Sequence, residues 1–151
     1  MIDINNESGV DVDEVRLVRL AAFALHELRI HPQADLSILL VDETTMADYH
    51  VRFMDLPGPT DVLSFPMDEL RAPRDDEDPP LGLLGDIVLC PTVTAAQAAD
   101  NGRSPEGEAD YLLIHGLLHL LGHDHAEPEE KRVMFGLNDR IIAAWDASRA
   151  A

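Results

Sequence analysis

The stretch His115-Gly116-Leu117-Leu118-His119-Leu120-Leu121-Gly122-His123-Asp124-His125 gathers four of the chain's seven histidines into eleven residues. On a helix, residues four apart lie one turn above each other on one face, so His115 and His119 can aim both imidazoles at one ion. Glycine takes the left-handed backbone that ends a helix, and Gly122 stands where such a stop would turn the chain. A third imidazole could then return to the same ion. His123 shares the face of His119 only if the helix runs on, so the stop favours His125. Three neutral imidazoles leave one position of a tetrahedral zinc ion open to water, the arrangement of catalytic rather than structural zinc. The expected centre is therefore one Zn2+ per chain, held by His115, His119 and His125. The competing reading is that these are satisfied core histidines. It would prevail for a single histidine, but not for three at this spacing around a glycine. Asp124 has two roles open to it, holding a ligand histidine or capping the turn.

Position 116 narrows the chemistry. Zinc peptidases with H-E-x-x-H carry their general base directly after the first histidine. Gly116 has no side chain, so the ligand spacing is that of a metzincin-type peptidase without its acid-base group. A metal centre is expected, and peptide hydrolysis is not.

Upstream, Ser104 as N-cap and Pro105 in the first turn open the helix that carries His115 and His119 and ends near Gly122. An alanine-rich helix is expected from Pro91 to Asp100, and a last helix from Pro128 or Glu129 to near the C-terminus. Strands are expected at Met1–Asn5, Ala34–Val41, Asp61–Pro66 and Gly85–Cys90. The continuous apolar end of the second suggests a central place in the sheet, and Pro66 marks an end or an edge. Asp11 or Asp13 caps a helix to about Leu28, with apolar positions at three- and four-residue spacing. Another helix runs from Asp42-Glu43-Thr44-Thr45 to about Phe53, and the turn cluster Leu56-Pro57-Gly58-Pro59 must end it. Met67–Pro80 reads as an exposed acidic loop; its run Asp75-Asp76-Glu77-Asp78 is solvated surface before it is a metal site. The expectation is an α+β fold: one compact domain over residues 1–151, a small mixed sheet of about four strands, and a zinc-peptidase-like metal helix.

Composition limits the partners. The chain has 11 Lys and Arg against 29 Asp and Glu, a net charge of −18. Broad, nonspecific nucleic-acid binding depends on a basic surface and is disfavoured. A local positive site, built from a metal ion and one or two arginines, remains compatible with that balance. The single cysteine, Cys90, cannot form an internal disulfide, which fits a reducing compartment. Its apolar setting favours a buried thiol over a nucleophile. No apolar run approaches the roughly 20 residues of a membrane span, and the acidic N-terminus does not read as a signal sequence. A cytoplasmic protein without a membrane partner is the default expectation.

The histidine block resembles the H-G-x-L-H-L-x-G-Y-D-H signature of the YbeY family of bacterial endoribonucleases, or rRNA maturation factors, with His123 where the family usually has tyrosine. Pro59-Thr60-Asp61-Val62-Leu63-Ser64-Phe65-Pro66 and Gly85-Asp86-Ile87-Val88 are similar to two further family blocks. The arginine that the family places before the first of these matches Arg52, with a longer link through Leu56-Pro57-Gly58. The resemblance runs from about Met46 to His125, and order and spacing extend it to the whole chain. It implies a zinc-dependent, single-strand-specific endoribonuclease acting in 16S rRNA 3′-end maturation and ribosome quality control in the bacterial cytoplasm. The expected partner is single-stranded RNA, 16S rRNA on the ribosome, and not DNA. Two other readings stand beside it: a zinc peptidase or other metallohydrolase, and a ribosome assembly factor with structural zinc.

Arg52 is the expected catalytic residue. Phosphodiester cleavage needs a stabiliser of added negative charge, and the planar guanidinium matches phosphate oxygens. The alternative for Arg52 is a surface ion pair with Asp48 or Asp55; Arg71 and Arg74 are the next candidates for the phosphate.

Overall fold

The computed structural model describes residues 1–54, 56, 58 and 60–150. Strands β1 (Ile2–Asn6), β2 (Asp35–Leu40), β3 (Val62–Pro66) and β4 (Leu83–Leu89) form one sheet in the order β1-β2-β4-β3. β1, β2 and β4 are parallel neighbours, and β3 closes the edge antiparallel to β4. Helices α1 (Glu14–Glu27), α2 (Glu43–Met54), α3 (Pro91–Asn101), α4 (Pro105–Leu120) and α5 (Pro128–Ala150) complete the chain. The expected α+β class, the single small domain and the four-stranded mixed sheet all hold.

β2 is central, paired with β1 on one side and β4 on the other, and its buried side chains face one side of the sheet. Leu36, Ile38 and Leu40 join Ile87 and Leu89 of β4 under α1 and α4, where Leu17, Leu20, Leu113, Ile114 and Leu117 seal the larger core. On the opposite face a smaller cluster of Val41, Met46, Leu63, Val88 and Cys90 anchors α2. Cys90 is wholly buried and burial pushes its thiol pKa up, so it is a core residue at the strand end, as expected. Pro66 sits on edge strand β3, where its missing N–H costs little.

β4 begins two residues before the expected Gly85, and a register shift against β2 lies at its start. Gly85 has φ +135°, and a Cβ there would lie 2.2 Å from the Phe65 carbonyl oxygen. Only glycine lets β3 lie this close to β4.

The caps follow the sequence. Asp13 accepts from Arg16 N–H at α1, Asp42 from Thr45 N–H at α2, and Ser104 from Gly107 N–H at α4. α4 is tied to α1 by Arg16, whose guanidinium donates to buried Asp110 at 3.1 Å and pairs with Glu106. α2 stops at Met54, as the following turn cluster requires; Pro57 and Pro59 of that cluster, and Asp55, lie outside the described residues. Among the described residues, Met67–Pro80 has no helix or strand, and no helix is long and apolar enough to cross a membrane.

Candidate metal centre

α4 presents His115 and His119 on one face, with their Nε2 atoms 3.2 Å apart. The helix then ends in a paired hydrogen-bond stop. Gly122 N–H donates to the His119 carbonyl, His123 N–H donates to the Leu118 carbonyl, and Gly122 takes φ +92°. That turn carries His123 off the α4 face and brings His125 back. One ring nitrogen from each of His115, His119 and His125 lies within 4.8 Å of the others. Bonds of about 2.0–2.1 Å to a tetrahedral zinc would space ligand nitrogens by about 3.4 Å, so the donor set fits such an ion. Among the described residues this is the only His, Cys, Asp or Glu cluster able to hold a metal; the acidic run Asp75–Asp78 is not one.

The electrostatics suit a metal ligand set. Burial, then the neighbouring His119 and His125, lower the His115 pKa to about 4. Burial, then His125, also lowers the pKa of His119. Neutral imidazole is the form that binds metal. Unfolding returns His115 to water and its ordinary value of 6.5, so the unfolded chain binds more protons between about pH 4 and 6.5. Stability contributed by the neutral ring is present above pH 6.5 and is lost as pH falls through that window. The metal-free protein should therefore show a lower urea midpoint at pH 5 than at pH 7.5, and His115→Ala should flatten the difference. An unchanged slope in that variant would contradict the assignment.

A family model described as Endoribonuclease YbeY matches residues 2–146. The chain belongs to the YbeY endoribonuclease family. An Endoribonuclease YbeY of Cutibacterium acnes is 77% identical over 149 residues, covering 99% of this chain and 96% of its own. One of Thermobifida fusca is 59% identical over 149 residues, covering 97% and 95%. The solution structure of TM1509 from Thermotoga maritima shares the fold, with a TM-score of 0.58 at 22% identity over 98% of this chain and 93% of that one.

The centre of this YbeY-family chain opens into a cleft of about 430 Å³ that Met54, Asp61, Val62, Ser64 and Pro66 line beside the three histidines. Position 116 has no room for a side chain beside it. A Cβ at Gly116 would meet Ile87 at 3.0 Å, Ser64 Oγ at 3.1 Å and Val62 at 3.3 Å. Ser64 also donates its hydroxyl to the Gly116 carbonyl at 3.0 Å. The peptidase glutamate is missing because α4 lies directly on β3 and β4 at that point. Gly116→Ala should lower stability by about 1–3 kcal/mol through overpacking, read as a fall in the thermal midpoint. An unchanged midpoint would mean that the contact relaxes freely.

Arg52 is on the last turn of α2 and exposed, with its guanidinium 3.1 Å from Asp48 and 5.7 Å over the Phe53 ring. It does not line the cleft, although Met54 two residues later does. Arg71 is held by Glu77 through two hydrogen bonds of 3.0 and 2.9 Å, which leaves it less available for phosphate. Asp124 accepts from the His125 N–H at 2.7 Å and so caps the turn.

The site also contains groups that local sequence patterns did not single out. Phe135 of α5 packs its ring 6.0 Å from His115 and 5.9 Å from His125, and Lys131 lies 5.5 Å over that ring. His115 Nδ1 is buried without a hydrogen-bond partner among the described residues, and the Phe135 ring packs beside the imidazole. Phe135 lies ten residues beyond His125 on a separate helix. No motif connects them, and only the packing of α5 on α4 brings them together.

Proposed function

We propose that this chain is a zinc-dependent, single-strand-specific endoribonuclease that hydrolyses RNA phosphodiester bonds, acting in 16S rRNA 3′-end maturation and ribosome quality control in the cytoplasm. The observation that carries the metal part is the convergence of His115, His119 and His125 on one point of an open cleft. Its relatives are named endoribonucleases, and the family resemblance extends that activity to ribosomal RNA. A bound zinc ion would polarise a phosphoryl oxygen and lower the pKa of water in its open position.

The chain's own residues do the rest. His115, His119 and His125 hold the ion as neutral donors, and Phe135 keeps two of the rings in register. Arg52 is the phosphate donor in this reading. Its ion pair with Asp48 is solvent-exposed on both sides. Such a pair is worth at most about 1 kcal/mol, so exchanging Asp48 for a phosphate costs little. A net charge of −18 opposes capture of free RNA, so the substrate would be delivered by the ribosome.

Purified protein incubated with end-labelled single-stranded RNA, the same sequence as a duplex, and a peptide library tests this reading. Metal-dependent cleavage of the single strand alone is expected. Peptide cleavage would point to a metallohydrolase of another class. No cleavage of any substrate, with zinc still bound, would point to an assembly factor with structural zinc.

A further inference from the structure

Closure of position 116 leaves the cleft without the glutamate of the zinc peptidases, yet among the described residues that line it one carries a carboxylate, Asp61. Asp61 stands just before β3, fixed by three hydrogen bonds. Its Oδ1 accepts from the Val62 N–H at 2.8 Å and from the Thr60 hydroxyl at 3.3 Å, while its backbone carbonyl accepts from Cys90 N–H at 3.1 Å. Oδ2 has no hydrogen bond among the described residues. Asp61 is near enough for its charge to bear on His115. Its oxygens fall outside the set of donor atoms that lie within 4.8 Å of one another, so the three histidines form the donor set without it. A carboxylate held beside a three-histidine centre, outside its donor set, has the placement of a general base.

We infer that Asp61 is the general base of the RNA cleavage reaction, reaching the centre from β3 where the peptidases reach it from the metal helix. This rests on the zinc-endoribonuclease reading above. In the step, water loses a proton to Asp61 Oδ2 as its oxygen bonds to phosphorus. The bond from phosphorus to the departing ribose oxygen breaks, and the proton held by Asp61 passes to that oxygen. One water is consumed per bond cleaved, and Asp61 is regenerated.

Asp61→Asn separates this role from a structural one, because asparagine keeps the Oδ1 acceptor for Val62 N–H and loses only the basicity. The expected result is one zinc per chain, an affinity against a chromophoric chelator that falls by less than the roughly tenfold loss typical of removing a ligand-supporting partner, and an unchanged melting temperature. Turnover should fall by about 10²–10⁴, the span of general acid-base contributions. Asp61→Glu should recover part of it. Wild-type turnover in Asp61→Asn overturns the inference, and so does loss of zinc, which would make Asp61 a ligand. His115→Ala is the control for the underlying reading. If it is inactive while Asp61→Asn cleaves normally, the inference about Asp61 alone falls. If His115→Ala itself cleaves at the parental rate, the zinc reading falls and the role of Asp61 falls with it.

Discussion

Replacing His115 and His119 together by alanine is expected to abolish both zinc binding and RNA cleavage. Two of the three donors disappear, and one histidine on an exposed turn cannot hold the ion. Losing the metal's stabilisation of developing charge, several kcal/mol, slows turnover by at least about 10³-fold. The fold itself should persist, since the core beneath α4 is made by Leu113, Ile114, Leu117 and Leu118, which the substitutions leave in place. The clearest check is thermal. Zinc binds the folded chain and should raise its melting temperature with concentration. The double variant should melt at one temperature whatever the zinc supplied. A zinc-dependent shift that survives both substitutions would place the metal elsewhere.

Arg52→Lys is expected to lose about 10²–10³ in turnover, although the charge is kept. Lysine has no planar fork and cannot engage two phosphate oxygens at once. Zinc content should be unchanged, because the guanidinium is not a ligand and lies outside the cleft lining. Stability should move by about 1 kcal/mol or less, as befits an exposed pair with Asp48. That contrast makes the experiment decisive. A surface ion pair predicts near-parental turnover from both Arg52→Lys and Arg52→Ala. If that is found, Arg52 leaves the mechanism, and Lys131, over the Phe135 ring that borders two ligands, becomes the cation to test.

Most of the architecture was legible because it rests on local rules. The apolar run in β2 required a central strand, the caps at Asp13, Asp42 and Ser104 set helix starts, and Gly122 set the stop that chose His125 over His123. The i,i+4 pair of Asp48 and Arg52 was legible for the same reason. What local rules do not reach is contact between distant segments. Gly116 read as a missing base, but its cause is the closeness of Ser64 and Ile87 on the sheet. Gly85 read as part of a motif, but its cause is the Phe65 carbonyl across the ladder. Asp61 read as a strand residue, because nothing in the spacing of Asp61 and His115 announces that β3 and α4 share a cleft. The histidines carry their geometry in their spacing, whereas Asp61 and Phe135 acquire theirs from packing.

If the three-histidine centre, loaded with zinc, cleaves RNA, removing the metal must stop the reaction. The most direct measurement strips the protein with a chelator, removes the chelator, and follows cleavage of end-labelled single-stranded RNA as zinc is titrated back. The stripped protein should not cleave, and activity should return linearly and saturate at about one zinc per chain. Undiminished cleavage by protein shown to be free of metal would contradict the zinc reading.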